Sequence, residues 1–148
     1  RSADFGEALL ALERYDETVI DRSFGPLETP GAGLDEIRAL LEFYARAKES
    51  PGWGRGCLLC NTAVELGPED PAGFVQRYFA RIAGAFRAAL THAAEIGALK
   101  PGVVPRTEAD ALTASMLGMY VLIRAKAPPA VVENAARAAL AHVASLKA

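Results

Sequence analysis

Cys57 and Cys60, followed at once by Asn61 and Thr62, stand in a stretch at 54–66 that is otherwise largely apolar: Gly-Arg-Gly-Cys-Leu-Leu-Cys-Asn-Thr-Ala-Val-Glu-Leu. Thiols three residues apart on a helix lie on similar faces about one turn apart. A disulfide between them would need favourable local geometry. Half of a zinc site would need a second Cys or His pair at ligand spacing, and His92 and His142 are isolated. No metal or other cofactor is therefore expected. Two readings of the thiols remain. Free cysteines are commonly small buried hydrophobes. A reactive thiol that senses oxidants or electrophiles instead requires thiolate, stabilised by a nearby cation or a helix N-terminus. Cys57 falls in the first turn of its expected helix, where the dipole favours negative charge, and Arg55 or Lys126 is a candidate cation. Asn61 poses a different question. A buried amide without partners is costly, so it either bonds a neighbouring helix end or faces a ligand.

Catalysis finds little support. There is no Ser/His/Asp set, metal cluster or phosphate loop, and nothing in the spacing joins Glu65 to His92, the one acid and base pair worth naming. The chain is not expected to be an enzyme. Its formal charge of −2 has the wrong sign for a surface that must neutralise phosphates, so these residues alone should not hold DNA. The longest strongly apolar run, 116–123, is too short to span a bilayer. The N-terminal residues lack the pattern of a signal peptide, which makes a cytoplasmic location the default expectation.

The elements that must position these residues read as helices throughout. The 148 residues, 51% hydrophobic and 23% charged, suit one water-soluble domain with a continuous core. Apolar spacing near 3.6 recurs, and no segment alternates with period two. A first helix over 4–22 places Leu9, Leu12, Tyr15 and Val19 on one face, and 24–33, with three glycines and two prolines, ends it. A second spans 34–48 with Leu34, Ile37, Leu41 and Tyr44 inward. The third is the thiol-bearing helix, 55–66. The fourth is the longest: Asp70 serves as N-cap, Pro71 opens the first turn, and Gly97 closes the helix at C′. Val75, Phe79, Ile82, Phe86, Ala89, Ala93 and Ile96 form its inward stripe. Thr107 to Asp110 resembles a capping box that starts the fifth helix. Pro128-Pro129 separates the fifth from a sixth over 130–146. In the fifth helix Leu112, Met116, Leu117, Met119, Tyr120, Val121, Leu122 and Ile123 surround the axis, so it must be covered on more than one side. Pairing of the last two helices with their copy as a four-helix bundle explains that excess better than an intramolecular core alone. The expected interface comprises Leu112, Met119, Ile123, Val132, Ala136, Ala139, Leu140 and Val143.

Six helices in this order, with Gly56-Cys57-Leu58 in the third, Asn61 to Leu66 completing it and a long helix opening at Asp70-Pro71, resemble the C-terminal domain of TetR/AcrR-type transcriptional regulators. Phe5 to Tyr15 resembles the helix that leaves the DNA-binding head in that family, and Ile123 to Pro128 resembles the junction between its dimerisation helices. The resemblance covers nearly the whole chain, which is expected to be a single effector-binding and dimerisation domain over 1–148. The family's N-terminal helix-turn-helix of three helices is absent from it. What the resemblance implies is a homodimeric repressor whose operator contacts lie in that missing head. A small-molecule effector of unknown identity, bound in this domain, would change the spacing of the two heads. The alternative within the same fold is covalent sensing through Cys57.

In this family effectors enter a cavity enclosed by the first five of these helices, and such pockets are mostly apolar with a few placed polar groups. The candidates here are Phe43, Tyr44, Trp53, Cys57, Cys60, Asn61, Phe79, Phe86, Met116, Met119 and Tyr120, with Glu65 and Tyr78 nearby in the pattern. For most of them the competing reading is plain core packing. Trp53 sits in a glycine-rich turn, a fitting place to close a pocket mouth.

Overall fold

Burial of Phe24 and Leu27 carries the chain helically through Gly25 and Pro26, residues whose propensities argue for a break. This helix, α1 (Asp21–Glu28), is followed by α2 (Leu34–Ala45), α3 (Phe74–Glu95), α4 (Pro105–Arg124) and α5 (Pro129–Leu146). The computed structural model describes residues 21–46 and 73–148, together with positions 7, 10, 11, 14 and 49. Positions 7, 10, 11 and 14 are helical, in keeping with the expected first helix. Leu9, Leu12, Tyr15 and Val19, and the whole expected third helix, lie outside the described residues. Among the described residues the fold is all-α, with a single isolated antiparallel bridge between Leu99 and Lys147.

The expected break after residue 22 is thus misplaced by six residues. The turn comes at 29–33 instead. There the Thr29 hydroxyl donates to the Gly25 carbonyl at 3.1 Å, and Gly31 takes φ +85°. Helix α2 then starts at Gly33, whose N–H donates to the Glu36 carboxylate at 2.7 Å. Ile37, Leu41 and Tyr44 point inward as expected, joined by Leu40. The helix closes at Ala45 rather than residue 48, with the Arg46 N–H reaching the Phe43 carbonyl at 3.2 Å.

Two starts differ from the sequence expectation. Asp70 and Pro71 lie outside the described residues, and the N-cap of α3 is Gly73 in the left-handed region, φ +66°. Helix α4 begins at Pro105, two residues before Thr107, with Val104 as N-cap and no side-chain cap. Proline at the first position needs no backbone donor. Glu108 in that first turn meets His142 of α5 at 2.6 Å.

The closing signals hold. Gly97 takes φ +72° after α3, with Gly97 N–H to Ala94 O at 3.1 Å and Ala98 N–H to Ala93 O at 2.8 Å, the paired bonds of a Schellman motif. The same pattern ends α4: Lys126 N–H bonds Ile123 O at 3.1 Å and Ala127 N–H bonds Leu122 O at 3.0 Å. Here the left-handed position is held by Lys126, φ +57°.

Helix α3 is the spine, packing on α1, α2 and α4, while α5 lies against α2 and α4. Its stripe of Val75, Ile82, Phe86, Ala89 and Ala93 is buried and Phe79 half-buried, but Ile96 is 65% exposed, because the turn at Gly97 swings its position off the stripe. The segment after α5 pairs back on the α3–α4 connection, through Lys100 N–H to Leu146 O and Ala148 N–H to Ala98 O, both 2.9 Å.

Candidate functional site

The apolar core is crossed by one polar contact between helices that sequence pointed to from both sides. The hydroxyls of Tyr44 on α2 and Tyr120 on α4 are hydrogen-bonded to each other. Their rings meet edge to face, centroids 5.5 Å apart at 84°. Tyr44 is only 4% exposed and Tyr120 is half-buried. A phenol in an apolar site keeps its hydroxyl satisfied at little cost only while a partner is present. The pair is therefore both a tie between α2 and α4 and a polar spot available to exchange partners.

Around it, Met116 and Met119 are buried on the same side of α4, and Met side chains adapt their shape readily. Tyr78 is buried on α3 with Phe79 tilted beside it, 5.9 Å between centroids. Phe86 is fully buried and takes Phe24 edge-on at 6.0 Å and 89°, which makes it the anchor of α1 on α3. Phe43 turns the other way. It is 53% exposed, contacts Tyr44 edge to face at 5.3 Å, and lines a cleft between α1 and α2 instead of the core. Adjacent residues on a helix point about 100° apart, and the turn from Tyr44 to Phe43 carries the Phe43 ring from the core to the cleft beside α1. Trp53, Cys57, Cys60, Asn61 and Glu65 lie outside the described residues. Lys126 is exposed, and the left-handed turn that closes α4 accounts for its conformation.

Most of the expected interface set packs inside the chain. Leu112, Met119, Ile123, Val132, Ala136 and Val143 are buried within the chain's own core, on the sides of α4 and α5 that pack against α3, α2 and each other. Leu140 is half-buried and lines a cleft beside the start of α2. Of the eight, Ala139 and the edge of Leu112 line the outer groove that α4 and α5 share. That groove encloses about 260 Å³ between Ala111, Leu112 and Ser115 on one helix and Ala135, Ala138, Ala139 and His142 on the other. The periodicity of apolar residues identified the core face; the outward face is marked by small residues.

Sequence reasoning also missed a charge cluster. Arg81 of α3 forks onto Glu28 of α1, Nη2 to Oε1 at 2.8 Å and Nε to Oε2 at 3.1 Å, and bonds Asp21 as well. Asp21, Phe24 and Glu28 recur at i, i+3 and i+7, which puts the two acids either side of the ring that enters the core. That spacing was visible, but its partner on α3 was not. Among the described residues no group of His, Cys, Asp or Glu could hold a metal ion, and no helix is long and apolar enough to cross a membrane.

Residues 33–139 match the family described as tetracyclin repressor-like, C-terminal domain. No curated protein matches the chain significantly. Among solved structures, it is similar to the crystal structure of a TetR transcriptional regulator from Chloroflexus aurantiacus J-10-FL, with a TM-score of 0.79 over 95% of this chain and 72% of that one. At 23% identity this likeness concerns the fold.

Proposed function

Since the chain belongs to the tetracyclin repressor-like C-terminal domain family, the regulatory domain of TetR-type transcriptional regulators, we propose that it is a non-enzymatic sensor whose effector binds beside the Tyr44–Tyr120 pair. The observation that carries this reading is the hydroxyl pair itself, set between α2 and α4 in an apolar core. A small, largely apolar molecule with one hydrogen-bonding group would exchange one tyrosine–tyrosine bond for bonds to itself. The rest of its surface would be covered by Met and aromatic side chains. Binding then favours the arrangement of α2 and α4 that accommodates it, a shift between populations that already exist. In a dimer, that shift changes the spacing of two DNA-binding heads, which must match successive major grooves about 34 Å apart. The operator would be held by the heads and not by these residues.

Dimerisation supports this mechanism and is proposed through the outer groove of α4 and α5. Ala111, Ser115, Gly118 and Leu122 fall in one row on α4 at steps of four, three and four. With Ala135, Ala138 and Ala139 they let helices approach closely.

A thermal-shift screen of small apolar compounds against the wild type and the Tyr44→Phe and Tyr120→Phe variants tests the effector site. Ligands raise the melting temperature in proportion to their occupancy of the native state, and a true effector should lose most of that shift in at least one variant. Compounds that stabilise all three proteins equally would remove the pair from the site.

A further inference from the structure

The cleft between α1 and α2 has the chemistry of a binding site distinct from the tyrosine pair. It encloses about 380 Å³, within the range of small-molecule pockets. Pro26, Leu27, Ala39, Leu40 and Phe43 supply an apolar lining, and more than half of the Phe43 side chain faces solvent. An aromatic ring left open at an apolar cleft is a surface that gains from being covered. The polar groups are few and of unequal availability. Glu36 is committed to the Gly33 N–H. Arg22 also lines the cleft and has no carboxylate partner among the described residues, while Arg81 takes both Asp21 and Glu28 on the other side of α1. Helices α1 and α2 are joined by the short turn at 29–33. Arg22 at the start of α1 and Phe43 at the end of α2 therefore fall toward one end of the cleft, and Glu36 toward the other. From Glu36 to Phe43 the helix rises about 10 Å.

We propose that the α1–α2 cleft binds an amphiphilic carboxylate of medium length, its headgroup on Arg22 and its apolar body along Leu27, Leu40 and Phe43. The guanidinium donates charge-assisted hydrogen bonds to the carboxylate. Glu36 repels an anionic headgroup from the turn end and so sets the orientation. A cationic amphiphile is disfavoured beside Arg22, and a neutral one loses the headgroup bond. Because the ligand lies against α1, the helix that Arg81 pins to α3, occupancy bears on how α1 sits. The site does not depend on an effector at Tyr44 and Tyr120, and either can fail alone.

Calorimetric titration of the 148-residue chain with decanoate, decanol and decyltrimethylammonium, each below its micelle concentration, tests the assignment. One-site binding of decanoate is expected, with the ammonium compound at least about tenfold weaker. Arg22→Gln should weaken decanoate about tenfold, the worth of one charge-assisted hydrogen bond, and leave decanol unchanged. Phe43→Ser should weaken both the acid and the alcohol. Both substitutions are at exposed side chains, so the fold is kept. Equal affinity for anion and cation, or an Arg22→Gln affinity within about twofold of wild type, overturns the proposal. So does decanoate binding that is lost in Tyr120→Phe and kept in Phe43→Ser, which places the ligand at the core pair. Concentration-dependent self-association abolished by Phe43→Ser would also overturn it, by showing that a second copy covers the cleft.

Discussion

Tyr120 and Phe86 were both candidates for the same cavity, and the structure gives them different work. Tyr120 carries a hydroxyl that bonds Tyr44 and keeps part of its surface open, while Phe86 is fully enclosed and holds Phe24. Tyr120→Phe should lower unfolding free energy by only about 1 kcal/mol, the net worth of one hydrogen bond. Phe86→Ala should cost about 3–5 kcal/mol, because the removed ring leaves a cavity in a close-packed core. Urea denaturation of the two variants checks the contrast, and similar losses would mean that Tyr120 is ordinary core. Residue types were informative here up to a limit. Aromatic residues at helical spacing could be placed inward from sequence, but which of them makes a polar contact depends on what stands opposite, as the neighbours Phe43, at the cleft, and Tyr44, against Tyr120, show.

At the scale of elements, backbone geometry explains several residues that chemistry alone left ambiguous. Lys126 was a candidate cation for a reactive thiol, and its left-handed φ of +57° now gives it a role in ending α4. A side chain in that region is strained, so Lys126→Gly should stabilise the protein, by up to about 1 kcal/mol after the added flexibility of the unfolded chain is counted. Gly97→Ala should do the reverse by about 1–2 kcal/mol. Nothing lies within 4 Å of where its Cβ would stand, so the cost is backbone strain alone. Thermal unfolding of the two variants should move in opposite directions. The attachment of α1 is electrostatic as well as apolar. Arg81 keeps 27% of its side chain exposed, so solvent screens the cluster. Arg81→Met should cost about 1 kcal/mol at low salt, with the difference shrinking as salt is raised. A cost that is independent of salt would assign the effect to packing. Helix ends marked by Gly97 and by Pro128-Pro129 were legible in the sequence, since those residues act locally. The course of α1 through Gly25 and Pro26 was not, because the burial of Phe24 and Leu27 that overrides the break comes from α2 and α3.

For the whole molecule, the apolar excess of α4 and α5 separates into two faces. Leu112, Met116, Met119, Ile123, Val132 and Val143 close the chain's own core, while the groove outside it is lined mostly by alanines and Ser115. Met119→Glu, which buries a charge without a partner, should therefore prevent folding and not simply split a dimer. Ala138→Arg, on the outer groove, should keep the melting profile of a folded monomer while sedimentation at micromolar concentration shifts from dimer to monomer. A wild-type chain that sediments as a monomer, or an Ala138→Arg variant that remains dimeric, would sink the groove as the interface.

The sequence by itself determined what depends on periodicity and local backbone chemistry: an all-helical domain, the inward stripes of α2 and α3, most helix ends and the family resemblance. These follow from residues within a turn or two of one another. Only the tertiary structure decided which positions meet across helices: Tyr44 with Tyr120 and Phe24 with Phe86 inside, Arg81 with Glu28 at the surface. It also decided which apolar residues of α4 and α5 the chain buries for itself. Those pairings join positions 53 to 76 residues apart, and no spacing along one helix encodes what the facing helix presents.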